Sequence, residues 1–151
     1  IGIGAIKYAD LSSDLVRDYV FDMERMVAFE GNTGPYIRYA CARIASLIRK
    51  GGGVGDEHNI VLYESQEREL ALQLLQYNNV LQDMVKHLEP HRLCTWLFEL
   101  TETFNSFYQS CSVLKADDDN VRASRLKLSE LTRRVIVDGL DILGIESPDK
   151  M

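Results

Sequence analysis

Four places in the chain bring together residue types that can do chemistry. The first is GGGVG at 51–55, whose glycines invite a phosphate-cradling loop. Such a loop follows a strand and ends in Gly-Lys-Ser/Thr, which supplies a charge and a metal ligand. Here a helical pattern precedes the glycines and that ending is missing, so a flexible helix-to-helix linker is expected. The second is His87, His91 and Cys94, at spacings that suit metal ligands on one continuous helix. Pro90 interrupts that helix and no fourth ligand is in view, so no metal site is expected. The third is Asp117, Asp118 and Asp119. It lacks the turn glycine and the bidentate glutamate of a cation-binding loop, and reads instead as an acidic helix N-terminus. No Ser/His/Asp or Cys/His arrangement stands out, and no catalytic residue is expected.

The fourth and most informative place is GNTGPYIRYACARIASLIRK, residues 31–50. On a helix, Tyr36, Tyr39 and Arg43 fall at i, i+3 and i+7 and share a face. Ile37, Ala40, Cys41, Ile44, Leu47 and Ile48 form the opposing apolar stripe. Two phenol rings and a guanidinium on one face can stack unpaired bases and neutralise phosphate together. Two tyrosines at such spacing also serve as core residues with satisfied hydroxyls. Periodicity alone leaves both readings open.

Charge bears on the choice. The net charge of −6 counts against a non-specific nucleic-acid binder, and no DNA partner is expected. Location matters more than the sum. Residues 31–55 hold Arg38, Arg43, Arg49 and Lys50 with no acidic side chain, and 121–134 hold Arg122, Arg125, Lys127, Arg133 and Arg134 against Glu130 alone. The acids collect at 56–69 and 117–119. Two basic faces on an acidic protein point to a selective partner.

The elements that must position these residues read as helices. Thr33 suits an N-cap and Pro35 a first turn, for a helix running to about Lys50. A second helix is expected over about 65–76, with Leu70, Leu74 and Tyr77 on one side. A third, over about 78–88, carries Val80, Leu81, Met84, Val85 and Leu88. After Pro90 a long fourth helix carries Leu93, Trp96, Leu97, Leu100, Phe104, Phe107, Tyr108 and Cys111. DDDN opens a fifth, about 119–143, which Gly144 ends. An all-α antiparallel bundle of about five helices follows, occupying 31–151. Residues 1–30 read as a connector at the edge of a preceding domain, with AIKYADL or DYVFD able to form a brief strand. There is no internal repeat.

At 151 residues, with 46% hydrophobic content, the chain has room for one core. No apolar run approaches the roughly 20 residues that span a bilayer, so no membrane partner is expected. The opening IGIGAIKYADL lacks an initiator Met, a basic n-region and a cleavage site, and reads as a chain entered partway. Cys41, Cys94 and Cys111 are odd in number and lie within apolar patterns, which predicts reduced core thiols and a cytoplasmic setting.

IGIGAIKYADL, DYVFDMERMVAFEGNTGPYIRYACARI, PHRLCTWLFELTETFNSFYQSC and LDILGIESPDKM together resemble the C-terminal part of arginyl-tRNA synthetases, in order and spacing, over essentially the whole chain. That resemblance implies the family's DALR anticodon-binding bundle, of the type that class I synthetases carry after a catalytic domain. The family's HIGH-type and KMSKS-type signatures do not occur here. By implication the chain alone is inactive, and ATP, Mg and arginine are handled upstream. The implied partners are the anticodon stem-loop of arginine tRNA and the protein's own catalytic domain. The implied contacts are Tyr36 and Tyr39 (stacking or packing), Arg43 (phosphate or structural), Tyr108 (loop) and Met151 beside the loop. Departures from the pattern are Gly34 where Ala is frequent, expected to loosen the turn, and Asp149-Lys150 where Glu-Arg is frequent. A rival reading keeps the bundle but docks a protein through the apolar aromatics Trp96 and Phe98.

Overall fold

The computed structural model describes residues 1–55 and 59–147. They form α1 (Gly2–Ser12), α2 (Met23–Met26), α3 (Gly34–Lys50), α4 (Ser65–Leu75), α5 (Tyr77–His87), α6 (Pro90–Ser110) and α7 (Asp119–Ile142). No strand occurs among the described residues. The expected helical bundle is present as α3 to α7, with bounds close to those that periodicity predicts. The expected strand is not. AIKYADL lies inside α1, and DYVFD is irregular apart from Asp22, which caps α2 through the Arg25 N–H.

Local chemistry sets both ends of α3. The Thr33 hydroxyl accepts the Tyr36 N–H at 3.2 Å and donates to the Ala28 carbonyl at 2.6 Å, and Pro35 follows in the first turn. At the other end Gly52 and Gly53 take φ of 86° and 92°. The N–H groups of Gly51 and Gly53 bond back to the carbonyls of Leu47 and Ile48, and an Arg122 N–H caps the Gly51 carbonyl at 3.1 Å. The glycine amides therefore terminate a helix, and none of these faces outward to cradle a phosphate.

The core sits where α6 meets its neighbours. Leu93, Leu97, Leu100 and Phe107 of α6 are fully buried, as are Ile37 and Ile44 of α3 and Ile136 and Leu140 of α7. Cys41, Cys94 and Cys111 are buried and form no disulfide, and burial pushes the Cys94 thiol up to about 12. On α5 the apolar reading is only half right. Val80, Leu81 and Met84 pack on the core, while Val85 and Leu88 are exposed, Leu88 ending the helix in the left-handed region at φ 55°.

α4 is tied to α7 by a buried ion pair. Glu67 is 1% exposed; its Oε2 accepts the N–H groups of Tyr63 and Glu64 at 2.5 and 2.7 Å, and its Oε1 accepts Arg125 Nε. Arg125 also donates to the Ser112 carbonyl at 2.8 Å. Burial alone would raise the Glu67 carboxyl pKa. The Arg125 bond and the two backbone N–H groups outweigh it and hold the carboxyl below its usual value.

α1 packs against α3 and α6 through Tyr8, whose phenol oxygen lies 2.6 Å from Asn32 Oδ1 and 2.9 Å from the Cys94 carbonyl. One phenol proton serves one acceptor fully. With the Asn32 amide turned, its NH₂ donates to the phenol and the phenol donates to the carbonyl. Gly34 makes the approach possible. A Cβ there would sit 2.9 Å from Tyr8 Cβ and 3.0 Å from the Gly4 carbonyl oxygen. The expected loosening is thus replaced by close packing of α1 on the start of α3. Gly34→Ala should cost about 1–3 kcal/mol of stability in urea unfolding. An unchanged midpoint would mean that α1 shifts freely.

Candidate nucleic-acid interface

α3 and α6 lie side by side and run in the same sense along one seam. Tyr36 meets Glu102 and Asn105; seven residues further along α3, Arg43 meets Tyr108. The helical periods of both elements put Tyr36, Tyr39 and Arg43 opposite Glu102, Asn105 and Tyr108.

Tyr36 is a strut in this seam. Its hydroxyl donates to the Glu102 carboxylate and accepts from Asn105 Nδ2 at 2.8 Å. Its ring lies 5.9 Å from that of Phe98 at a 55° tilt. Burial and then the Glu102 carboxylate push its phenol up to about 12, partly offset by Asn105 and the positive charge of Arg43. Of the two roles carried over for Tyr36, packing is the one its geometry fits.

Tyr39 and Tyr108 differ from it, being 43% and 41% exposed. The Arg43 guanidinium carbon lies 5.8 Å from the Tyr39 ring centre and 5.7 Å from that of Tyr108. Each ring is braced from the other side of the array. Phe29 meets Tyr39 edge-on at 6.1 Å, and Phe104 stacks on Tyr108 at 6.2 Å and 20°. The result is a continuous row, Phe29–Tyr39–Arg43–Tyr108–Phe104, built from a loop and two helices. Its middle is cationic, and Phe29, Tyr39 and Tyr108 are half in water while Phe104 is buried behind them. Such a row offers π-faces to any base and charge to phosphate, without demanding one sequence.

Met151, Asp149 and Lys150 lie outside the described residues. Glu102, Asn105 and Phe29 were not legible as site residues from the motif, although Glu102, Asn105 and Tyr108 do recur every three residues along α6. The basic stretches also need correction. Arg38 is buried at 8% exposure, and its Nε has no partner among the described residues. Arg122 and Arg125 serve helix ends and the Glu67 pair, and Arg133 bonds twice to Glu130 at 2.9 Å. The second acid-poor stretch thus works largely inside the fold. Trp96 is buried and stacked on Tyr77 at 5.3 Å, and Phe98 is half-buried against Tyr36, so neither is an exposed docking ring.

Several of the other chemistry-bearing groups have structural roles, although the buried Nδ1 of His91 has no partner among the described residues. Asp118 caps α7 through the N–H groups of Asn120 and Val121. His87 Nδ1 lies 2.9 Å from the Asp83 carbonyl, and Cys94 belongs to the core. Among the described residues no three His, Cys, Asp or Glu side chains gather as a metal site, and no helix is long and apolar enough to cross a membrane.

The helical bundle is the architecture of a known class. Residues 37–151 match the model of the DALR anticodon binding domain, and the chain belongs to that family. It is 52% identical to an arginine–tRNA ligase of Thermobifida fusca over the whole of this chain and 27% of the relative. The corresponding figure is 44% for an arginine–tRNA ligase of Proteus mirabilis, again over the whole chain and 27% of the relative. The structure of a Thermus thermophilus arginyl-tRNA synthetase superposes with a TM-score of 0.92 at 31% identity, covering 99% of this chain and 26% of that one. For the Plasmodium falciparum arginyl-tRNA synthetase the TM-score is 0.86 at 30% identity, covering 99% of this chain and 27% of that one. The chain therefore spans about a quarter of the length of the relatives it matches.

Proposed function

We propose that this chain recognises the anticodon stem-loop of arginine tRNA as the C-terminal module of an arginine–tRNA ligase. The observation that carries the reading is the half-exposed Tyr39–Arg43–Tyr108 row, on a bundle of the anticodon-binding family. Tyr39 and Tyr108 stack or border loop bases, Arg43 holds the rings apart and faces phosphate, Tyr36 braces the seam, and Met151, which lies outside the described residues, is carried over as a further contact of the loop. Residues 31–151 are the recognition module. Residues 1–30 form the edge toward the catalytic domain, a role that suits the exposed Ile3, Leu15, Val16, Val20 and Phe21. ATP, Mg and arginine belong to that upstream part, so the chain by itself joins nothing to tRNA. The three reduced thiols fit a cytoplasmic setting.

The test is a titration of the full-length protein with arginine tRNA and with a second tRNA over a range of salt. Tighter binding of arginine tRNA, weakening log-linearly with salt, is expected. Equal affinity for both tRNAs at every salt concentration would remove the specificity from this reading.

A further inference from the structure

On the flank of α3 away from the aromatic row, α3 and α7 border an open groove of about 820 Å³. Ala45 follows Arg43 by two residues, about 200° round the helix, so the groove and the row face different ways. Ala45 and Ile48 of α3 and Leu131 of α7 form its apolar strip, which Val54 and Ile60 complete. Arg49, Lys127, Arg133 and Arg134 line it with them. Among the described residues Glu130 is the only carboxylate of the lining, and Arg133 donates to both of its oxygens at 2.9 Å. On a chain of net charge −6 this is a local reversal of sign.

Chemistry and spacing narrow the occupant. The lining holds no aromatic ring, so a nucleobase finds no platform to stack on. Small ligands are held by burying about 70–90% of their surface, which an open groove does not provide. Lys127, Leu131 and Arg134 recur at i, i+4 and i+7 on one face of α7, about 10 Å long at about 1.5 Å per residue. A helix laid in a groove presents its own anchors at that spacing. Leu131 stands 38% exposed in the middle of this cationic face, and Arg49 and Arg134 are exposed beside the strip. An occupant must therefore bring aliphatic side chains between carboxylates.

We propose that this groove docks an acidic amphipathic helix of a partner protein, its apolar side on Ile48 and Leu131 and its carboxylates toward Arg49, Lys127 and Arg134. The proposal stands apart from the RNA reading, because Tyr39, Arg43 and Tyr108 belong to the other flank of α3. Both surfaces can then be occupied at once.

The experiment uses the full-length protein and a fluorescein-labelled synthetic helix of about four turns, with leucines at i, i+4 and i+7 flanked by glutamates. Two counterparts carry lysine for every glutamate or serine for every leucine. Anisotropy titration should show binding of the glutamate helix that weakens with salt, and about tenfold or more weaker binding of both counterparts. Arg134→Glu should weaken the glutamate helix about fivefold or more through like-charge contact. Leu131→Ser should weaken it several-fold. Both are surface changes, and circular dichroism checks the fold; if Leu131→Ser is unfolded, Arg134→Glu decides alone. Arginine tRNA should bind Arg134→Glu as it binds the parent. Equal binding of the glutamate and lysine helices, or full retention by Arg134→Glu, overturns the proposal. So does a loss of tRNA binding in Arg134→Glu as large as in Tyr39→Ala, which would give the groove to RNA. A parent that sediments as a dimer beside a monomeric Arg134→Glu would give it to a second copy and also overturn it. If Tyr39→Ala and Tyr108→Ala leave tRNA binding intact while the peptide results hold, the RNA reading fails and the groove stands.

Discussion

Glu67→Gln is expected to lower the unfolding free energy by about 3–5 kcal/mol, the usual cost of removing one member of a buried ion pair. The carboxylate serves donors on both oxygens, the Tyr63 and Glu64 N–H groups on one and Arg125 on the other. A glutamine has one acceptor and one donor end. Whichever way it turns, its NH₂ meets another donor, and a buried N–H or guanidinium loses its partner. Urea unfolding followed by circular dichroism measures the loss, and a cost below about 1 kcal/mol would show that water replaces the carboxylate. The same group sets an acid limit. Its pKa is depressed in the folded chain, so its contribution is fully present above the ordinary carboxylate value of the unfolded state. That contribution fades as pH falls through the folded-state value. The parent protein should therefore lose stability more steeply on acidification than Glu67→Gln.

The second large effect is on RNA binding. Tyr39→Ala and Tyr108→Ala should each weaken arginine tRNA binding by about 1–3 kcal/mol, the range for loss of one base stack. Tyr36→Phe should instead leave binding nearly unchanged and cost about 1 kcal/mol of stability, because its hydroxyl joins two helices. Titration of each variant beside its thermal melt separates the two kinds of tyrosine. Equal losses of binding for all three would contradict the division between strut and platform. The two alanine variants share Arg43, so their effects should fall short of additive in the double variant.

Helices α3 to α7 were readable because each carries one apolar stripe at helical spacing with a turn or cap at its ends. α1 was not. IGIGAIKYADL holds two glycines among β-branched residues, and its apolar residues surround the helix instead of forming a stripe. Only Ala5 and Tyr8 are buried, while Ile1, Ile3 and Ile6 are exposed. Period-based reading then has nothing to lock onto, and β-branched content points to a strand. Within the site, the shared face of Tyr36, Tyr39 and Arg43 follows from spacing alone. Which helix lies opposite does not. Glu102 and Asn105 are 66 and 69 residues from Tyr36, and Glu67 is 58 from Arg125. Spacing gives a helix its face but not its neighbour. For that reason the sequence left Tyr36 and Tyr39 equivalent, whereas one is a strut and the other is open to solvent.

The buried Tyr8 hydroxyl reaches the turn before α3 through Asn32 and the backbone of α6 through Cys94. The chain passes from α1 to α2 through the irregular stretch 13–22, and the grip of α1 on α3 and α6 does not depend on that stretch being intact. A protease nick there should leave two peptides that copurify and separate only on denaturation. It also means that a pull on α1 from the upstream side is delivered to the helix that carries Tyr108, with no slack loop in between to absorb it.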